Sequence, residues 1–114
     1  MFEEADKIFE QILRIVRQND IPEEIIVKAY EKAKELHKEQ KRKDGQPYIN
    51  HPVAVALILA KLEFDENVIA GGLLHDTIED CGYTKAQMIA DFNKTVFELV
   101  DCVSAIDDAK YIFD

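Results

Sequence analysis

The chain has no tryptophan, three prolines, four glycines and two cysteines in 114 residues. So little proline and glycine cannot serve the frequent tight turns of a sandwich or barrel, and the abundance of Ala, Leu, Ile, Glu and Lys favours helices. An all-α fold without a sheet is expected. Cys81 and Cys102 lie far apart with no CxxC pair. That excludes a disulfide framework and a cysteine metal site, and leaves reduced thiols, the default of the cytoplasm. Positive charge is also short: a net charge of −9 argues against DNA or RNA as the main partner, because binding a nucleic-acid backbone relies on basic residues. Long apolar runs are missing too. The longest, Pro52 to Ala60, is far too short to span a bilayer, and the N-terminal MFEEADKIFE is acidic where a signal peptide would be basic. A soluble cytoplasmic chain with no membrane partner is expected.

What is present is material for a core: 47% of the residues are apolar, enough for one domain of this length to fold alone. The periodicity predicts about six helices. Ile8, Ile12, Leu13 and Val16 recur at helical spacing, and the first helix fades at Gln18-Asn19-Asp20. Ile21-Pro22-Glu23-Glu24 suits the opening of a second, whose apolar face (Ile25, Ile26, Ala29, Ala33, Leu36, His37) continues toward Gln40 and would carry a basic run at its C-terminal end. Asp44-Gly45-Gln46-Pro47 is a turn cluster, after which the chain is read as extended through Tyr48 and Ile49. Asn50 is then a cap for a third helix with His51-Pro52 in its first turn, and VAVALILA, apolar on nearly every face, describes a helix surrounded by others. Asp65 caps a fourth, read as running through Gly71-Gly72 and His75 to Asp80. Two glycines in a helix cost roughly 1 kcal/mol each against alanine, which implies close packing and room for a ligand or another helix. Thr84 caps a short helix, and a last one runs from Lys94 to Ile106 with Phe97, Val100 and Val103 inward.

The chemistry concentrates on the fourth helix. On a continuous helix His75, Asp76, Glu79 and Asp80 share one arc of about 140°. Two imidazoles and a carboxylate (His51, His75, Asp76) are ligand types for Zn, Mn or Fe, and an acidic pair one turn on is where a metal-activated water needs a proton acceptor. A metal-dependent hydrolase is therefore the leading reading. Six of the fourteen basic residues fall between Lys32 and Lys43, a local positive field that suits a phosphorylated ligand, although such a run is more often a solvated helix face. Equally, His75 could be a satisfied rim histidine with Glu79 and Asp80 in solvent.

The segment HKEQKRKDGQPYINHPVAVALILAKL followed by ENVIAGGLLHDTIED resembles the HD-domain hydrolase half of the RelA/SpoT proteins, which make and degrade (p)ppGpp. The resemblance runs from about Ala33 to Ile106. It implies a helical HD domain that holds a divalent metal, typically Mn, at His51, His75 and Asp76. It also implies Glu79 and Asp80 as the pair that deprotonates the attacking water, and Arg42 and Lys43 as substrate-binding residues. The implied reaction removes pyrophosphate from the 3′ position of this guanine nucleotide, and the parent protein could also carry a synthetase. Departures stand at Glu39, Phe92-Asn93 and Val100 to Ala105. The family's site is completed by a later aspartate that has no counterpart here, with Asp101, Asp107 and Asp108 as poor substitutes. Together with the abrupt Tyr111-Ile112-Phe113, this leads to the expectation of a single HD domain over 1–114, cut before its last helices. The alternatives are a catalytically incomplete HD module that binds nucleotide or a protein, and an HD phosphohydrolase for another nucleotide.

Overall fold

The computed structural model describes residues 2–113, with side chains for all of these except Glu79 and residues 104–113. Among them the elements are α1 (Glu3–Gln18), α2 (Glu24–Leu36), α3 (Asn50–Lys61), α4 (Glu66–Leu74), α5 (Thr77–Cys81), α6 (Lys85–Asp91) and α7 (Lys94–Phe113). No strand occurs among the described residues, only an isolated bridge between Lys41 and Pro47.

α1 forms because Ala5, Phe9, Ile12 and Val16 recur every three or four residues, so one stripe is buried while its acidic and basic residues face water. Tyr30 of α2 stacks on Phe9 with ring centroids 4.0 Å apart and donates its hydroxyl to Asp6 Oδ1 at 2.6 Å, which ties the first two helices together. The helix at the centre is α4, packed against α2, α3 and α7, with Ile69, Ala70, Gly71, Gly72, Leu73 and Leu74 all buried. Its start is fixed by Asp65, whose Oδ1 accepts from the N–H groups of Asn67 and Val68 at 3.0 and 3.1 Å. The paired glycines serve packing on two sides. A Cβ at Gly72 would stand 2.7 Å from Leu59 Cδ1, and one at Gly71 would stand 3.4 Å from Leu99 Cβ. Of the two uses open to the glycines, another helix is the one realised.

Several boundaries differ from the periodicity. α2 stops at Leu36 rather than near Gln40 because His37 turns the chain (φ −97°, ψ 6°) and Gln40 N–H donates to His37 O at 2.9 Å. Lys38, Lys41, Arg42 and Lys43 therefore stand beyond the helix, not on its C-terminal end. Tyr48 and Ile49 are wound, not extended: Asn50 N–H donates to Pro47 O and His51 N–H to Tyr48 O. Asn50 consequently sits inside the first turn of α3 and caps nothing. α3 is also less enclosed than its composition suggests, with Ile58 half exposed at 50% and Leu62, the residue just after the helix, at 64%. Thr84 caps α6 as expected, in a capping box with Gln87. On α7, Val96, Val100 and Val103 are buried, with Phe97 partly so.

Candidate metal centre

The histidine and aspartate of the doublet lie between two helices. A helix running on past Leu74 would pair the carbonyls of Gly72 and Leu74 with N–H groups one turn ahead. Side chains take them instead: His75 Nδ1 lies 2.7 Å from Gly72 O, and Thr77 Oγ1 donates to Leu74 O at 2.7 Å. The continuous helix expected through Asp80 is thus broken into α4 and α5, and the shared arc is replaced by a kink. The kink aims the doublet. Asp76 occupies the N-cap position of α5 yet its carboxylate makes no cap hydrogen bond, although capping is the usual use of an aspartate there.

That carboxylate is committed to three other groups. Asp76 Oδ2 lies 3.2 Å from His75 Nε2 and 3.6 Å from His51 Nε2, and it accepts the Tyr48 hydroxyl at 2.8 Å. The donor atoms of His51, His75 and Asp76 all fall within 4.8 Å of one another. Two donors on one ion with bonds of about 2.1 Å stand about 3.0 to 3.4 Å apart at right-angle to tetrahedral geometry, so the spacing suits a single ion after small adjustment. His75 is 1% exposed, and the Gly72 carbonyl on its Nδ1–H leaves Nε2 as the ring atom that faces Asp76. A ligating histidine commonly shows that arrangement, since the outer hydrogen bond sets the tautomer. The donor chemistry fits a divalent metal.

A second layer lies behind Tyr48. Its ring packs on His37 at 4.8 Å and meets His51 edge-on at 6.1 Å, and its N–H donates to Gln40 O at 3.0 Å. Burial first, then the hydrogen bond to Asp76, pushes the Tyr48 phenol well above its ordinary range, so it stays a donor. His37 is fully buried and bonds Gln40 Oε1 through Nδ1 at 2.9 Å; burial lowers its pKa, partly opposed by Gln40, Asp76 and Asp80. Cys81 Sγ lies 3.3 Å from the same Nδ1, and burial raises its thiol pKa. Tyr48 and His37 were missed as parts of the centre by sequence reasoning, although Tyr48 stands three residues before His51, the distance of one turn.

Beside the donors is a cavity of about 480 Å³ lined by Lys41, Arg42, Lys43, Asp44, Tyr48 and His51. A tight turn presents its cations: Gly45 adopts φ +85°, Arg42 N–H donates to Gln46 O at 2.8 Å, and Gly45 N–H returns to Arg42 O at 2.9 Å. Asp44 Oδ1 accepts from Gln46 N–H at 3.0 Å, which braces the turn from inside. The fold therefore joins His51, His75 and Asp76 at one point and sets Arg42 and Lys43 next to them. Asp80 is exposed on α5 and lines a neighbouring groove with Lys38, Glu39 and Gln40, while the side chain of Glu79 lies outside the described residues. No helix among the described residues is long and apolar enough to cross a membrane.

Comparison with known proteins places these observations in a family. The HD-domain profile matches residues 29–112. The GTP pyrophosphokinase of Streptomyces coelicolor is 45% identical over 91% of the chain, and the bifunctional (p)ppGpp synthase/hydrolase SpoT of Escherichia coli is 42% identical over 91%. The guanosine-3′,5′-bis(diphosphate) 3′-pyrophosphohydrolase of Aquifex aeolicus is 50% identical over 77%. The chain spans 13 to 15% of the length of these relatives. With its profile match, its all-helical fold and its RelA/SpoT-type relatives, the chain belongs to the HD-domain family.

Proposed function

We propose that the chain is a metal-dependent phosphohydrolase unit that removes the 3′-pyrophosphate from (p)ppGpp, leaving GDP or GTP. One observation carries the reading: His51 belongs both to the donor triangle with His75 and Asp76 and to the lining of the basic cavity. A phosphate held there would meet the metal site directly. His51, His75 and Asp76 would hold the ion; two imidazoles and one carboxylate suit several divalent metals, and Mn is the assignment that the family resemblance implies. When bound, the ion would supply activation of a water nucleophile and screening of phosphate charge. Arg42 and Lys43 attract and hold the anionic nucleotide against the overall charge of −9. Asp80, with Glu79, serves as proton acceptor; α5 starts at the residue after Asp76, which keeps both acids within two turns of the ligand. The activities for which the relatives are named support the same substrate, and residues 1–114 are read as belonging to a single HD domain.

The test is release of pyrophosphate from ppGpp by the purified chain with added Mn, alongside Asp76→Ala. Mn-dependent release that disappears in the variant supports the proposal. Tight ppGpp binding without turnover at any Mn concentration would make the chain a binding module instead.

A further inference from the structure

We propose that Tyr48 is a positioning residue of the metal centre, whose hydroxyl holds the Asp76 carboxylate in its ligand orientation; this rests on the metal reading above. The oxygen that accepts the Tyr48 hydroxyl, Oδ2 at 2.8 Å, is the same one that faces Nε2 of both histidines. A carboxylate oxygen has lone pairs for both partners, so the hydroxyl orients it without displacing a ligand bond. Asp76 needs such a brace. It sits in a kink between two helices, its side chain makes no cap bond to α5, and it is 17% exposed, so rotation about its side-chain torsions would carry Oδ2 out of the triangle.

Tyr48 is itself firmly placed. His37 packs against its ring, His51 meets it edge-on, and its backbone N–H is bonded to Gln40 O. Gln40 also holds His37 through Oε1, so one residue beyond α2 sets both the ring and its support. The hydroxyl thus links the buried second layer to the donor that the kink leaves unbraced. If Tyr48 only filled space between the two imidazoles, phenylalanine would do the same.

Tyr48→Phe keeps the ring and removes the hydroxyl. Titration calorimetry of the whole chain with Mn should show affinity lower by about tenfold, the usual scale for losing an outer hydrogen bond to a metal ligand. With Co as the probe, the visible absorption bands should shift in position, since the carboxylate geometry changes. The Mn-induced rise in melting temperature should shrink in the variant even if its metal-free stability falls, which separates weaker binding from weaker folding. Wild-type Mn affinity, an unchanged Co spectrum and an undiminished Mn-induced rise would overturn the role of Tyr48 alone. Failure of the folded wild-type chain to bind Mn or Co would overturn the metal reading and this inference with it.

Discussion

The two sides of the centre are made of different material. His75 is buried, keyed to a backbone carbonyl and carried on the end of α4, the helix against which α2, α3 and α7 all pack. Arg42 and Lys43 are exposed on a turn of the connection between α2 and α3, held by backbone hydrogen bonds and by the glycine conformation at Gly45. Rigid placement suits donors that must meet one ion within a fraction of an ångström. Long cations on an exposed turn suit an anion whose approach is guided by charge and needs less exact geometry. On the proposed function, the molecule separates precision from attraction.

Substitutions can break that separation or sharpen it. Asp76→Ala should cost most, on the order of 1,000-fold or more in turnover, because it removes a ligand and the several kcal/mol that metal activation supplies. Pyrophosphate release at saturating Mn measures it, and retained activity would show that Asp76 is not a ligand. Leu74→Ala attacks the rigid side through packing alone. Leu74 is fully buried, and truncation should destabilise the fold by about 2 to 5 kcal/mol in urea unfolding. Arg42→Ala tests the exposed side: KM for the nucleotide should rise about tenfold with kcat nearly unchanged, the scale of one charge-assisted hydrogen bond. A matching fall in kcat would mean that the turn takes part in the chemistry.

A pH series tests the layer between the two. His37 has its pKa lowered by burial from the model-peptide value of 6.5, so the unfolded chain takes up this proton more readily than the folded one. Stability from this group is present above about pH 6.5 and is lost as pH falls toward the lowered value. His37→Phe should flatten the decline of unfolding free energy in that window, and an unaltered slope would place the effect on other groups. The smallest change expected is Gly71→Ala. Its Cβ would make ordinary contact with Leu99 at 3.4 Å, so the helix-propensity gain of about 0.5 to 1 kcal/mol should appear as a slight stabilisation.

Where one local rule decides, the sequence was legible. Asp65 and Thr84 are caps because their side chains reach N–H groups two or three residues on, and the turn around Asp44 to Pro47 is closed by hydrogen bonds between residues no more than four apart. His51, His75 and Asp76 were legible as donors from residue type, and their meeting point followed from the family resemblance. Features that depend on competition were not. Gln40 would extend a helix in isolation, but here it anchors His37 and Tyr48. The kink at the doublet depends on side chains outbidding backbone for two carbonyls, which periodicity cannot register. Tyr48 reads as part of an extended link until the fold brings it to a residue 28 positions later.

Gly72 shows what this arrangement does to variation. Its carbonyl steers the His75 ring while its bare α-carbon admits Leu59 of α3. A methyl group there would be tolerable for folding, since the end of a leucine side chain can swing aside. Yet any backbone shift made to accommodate it would turn the imidazole as well. Screens that select only for folded protein would keep such variants, and a loss of metal binding would surface later, at a residue that carries no functional group of its own.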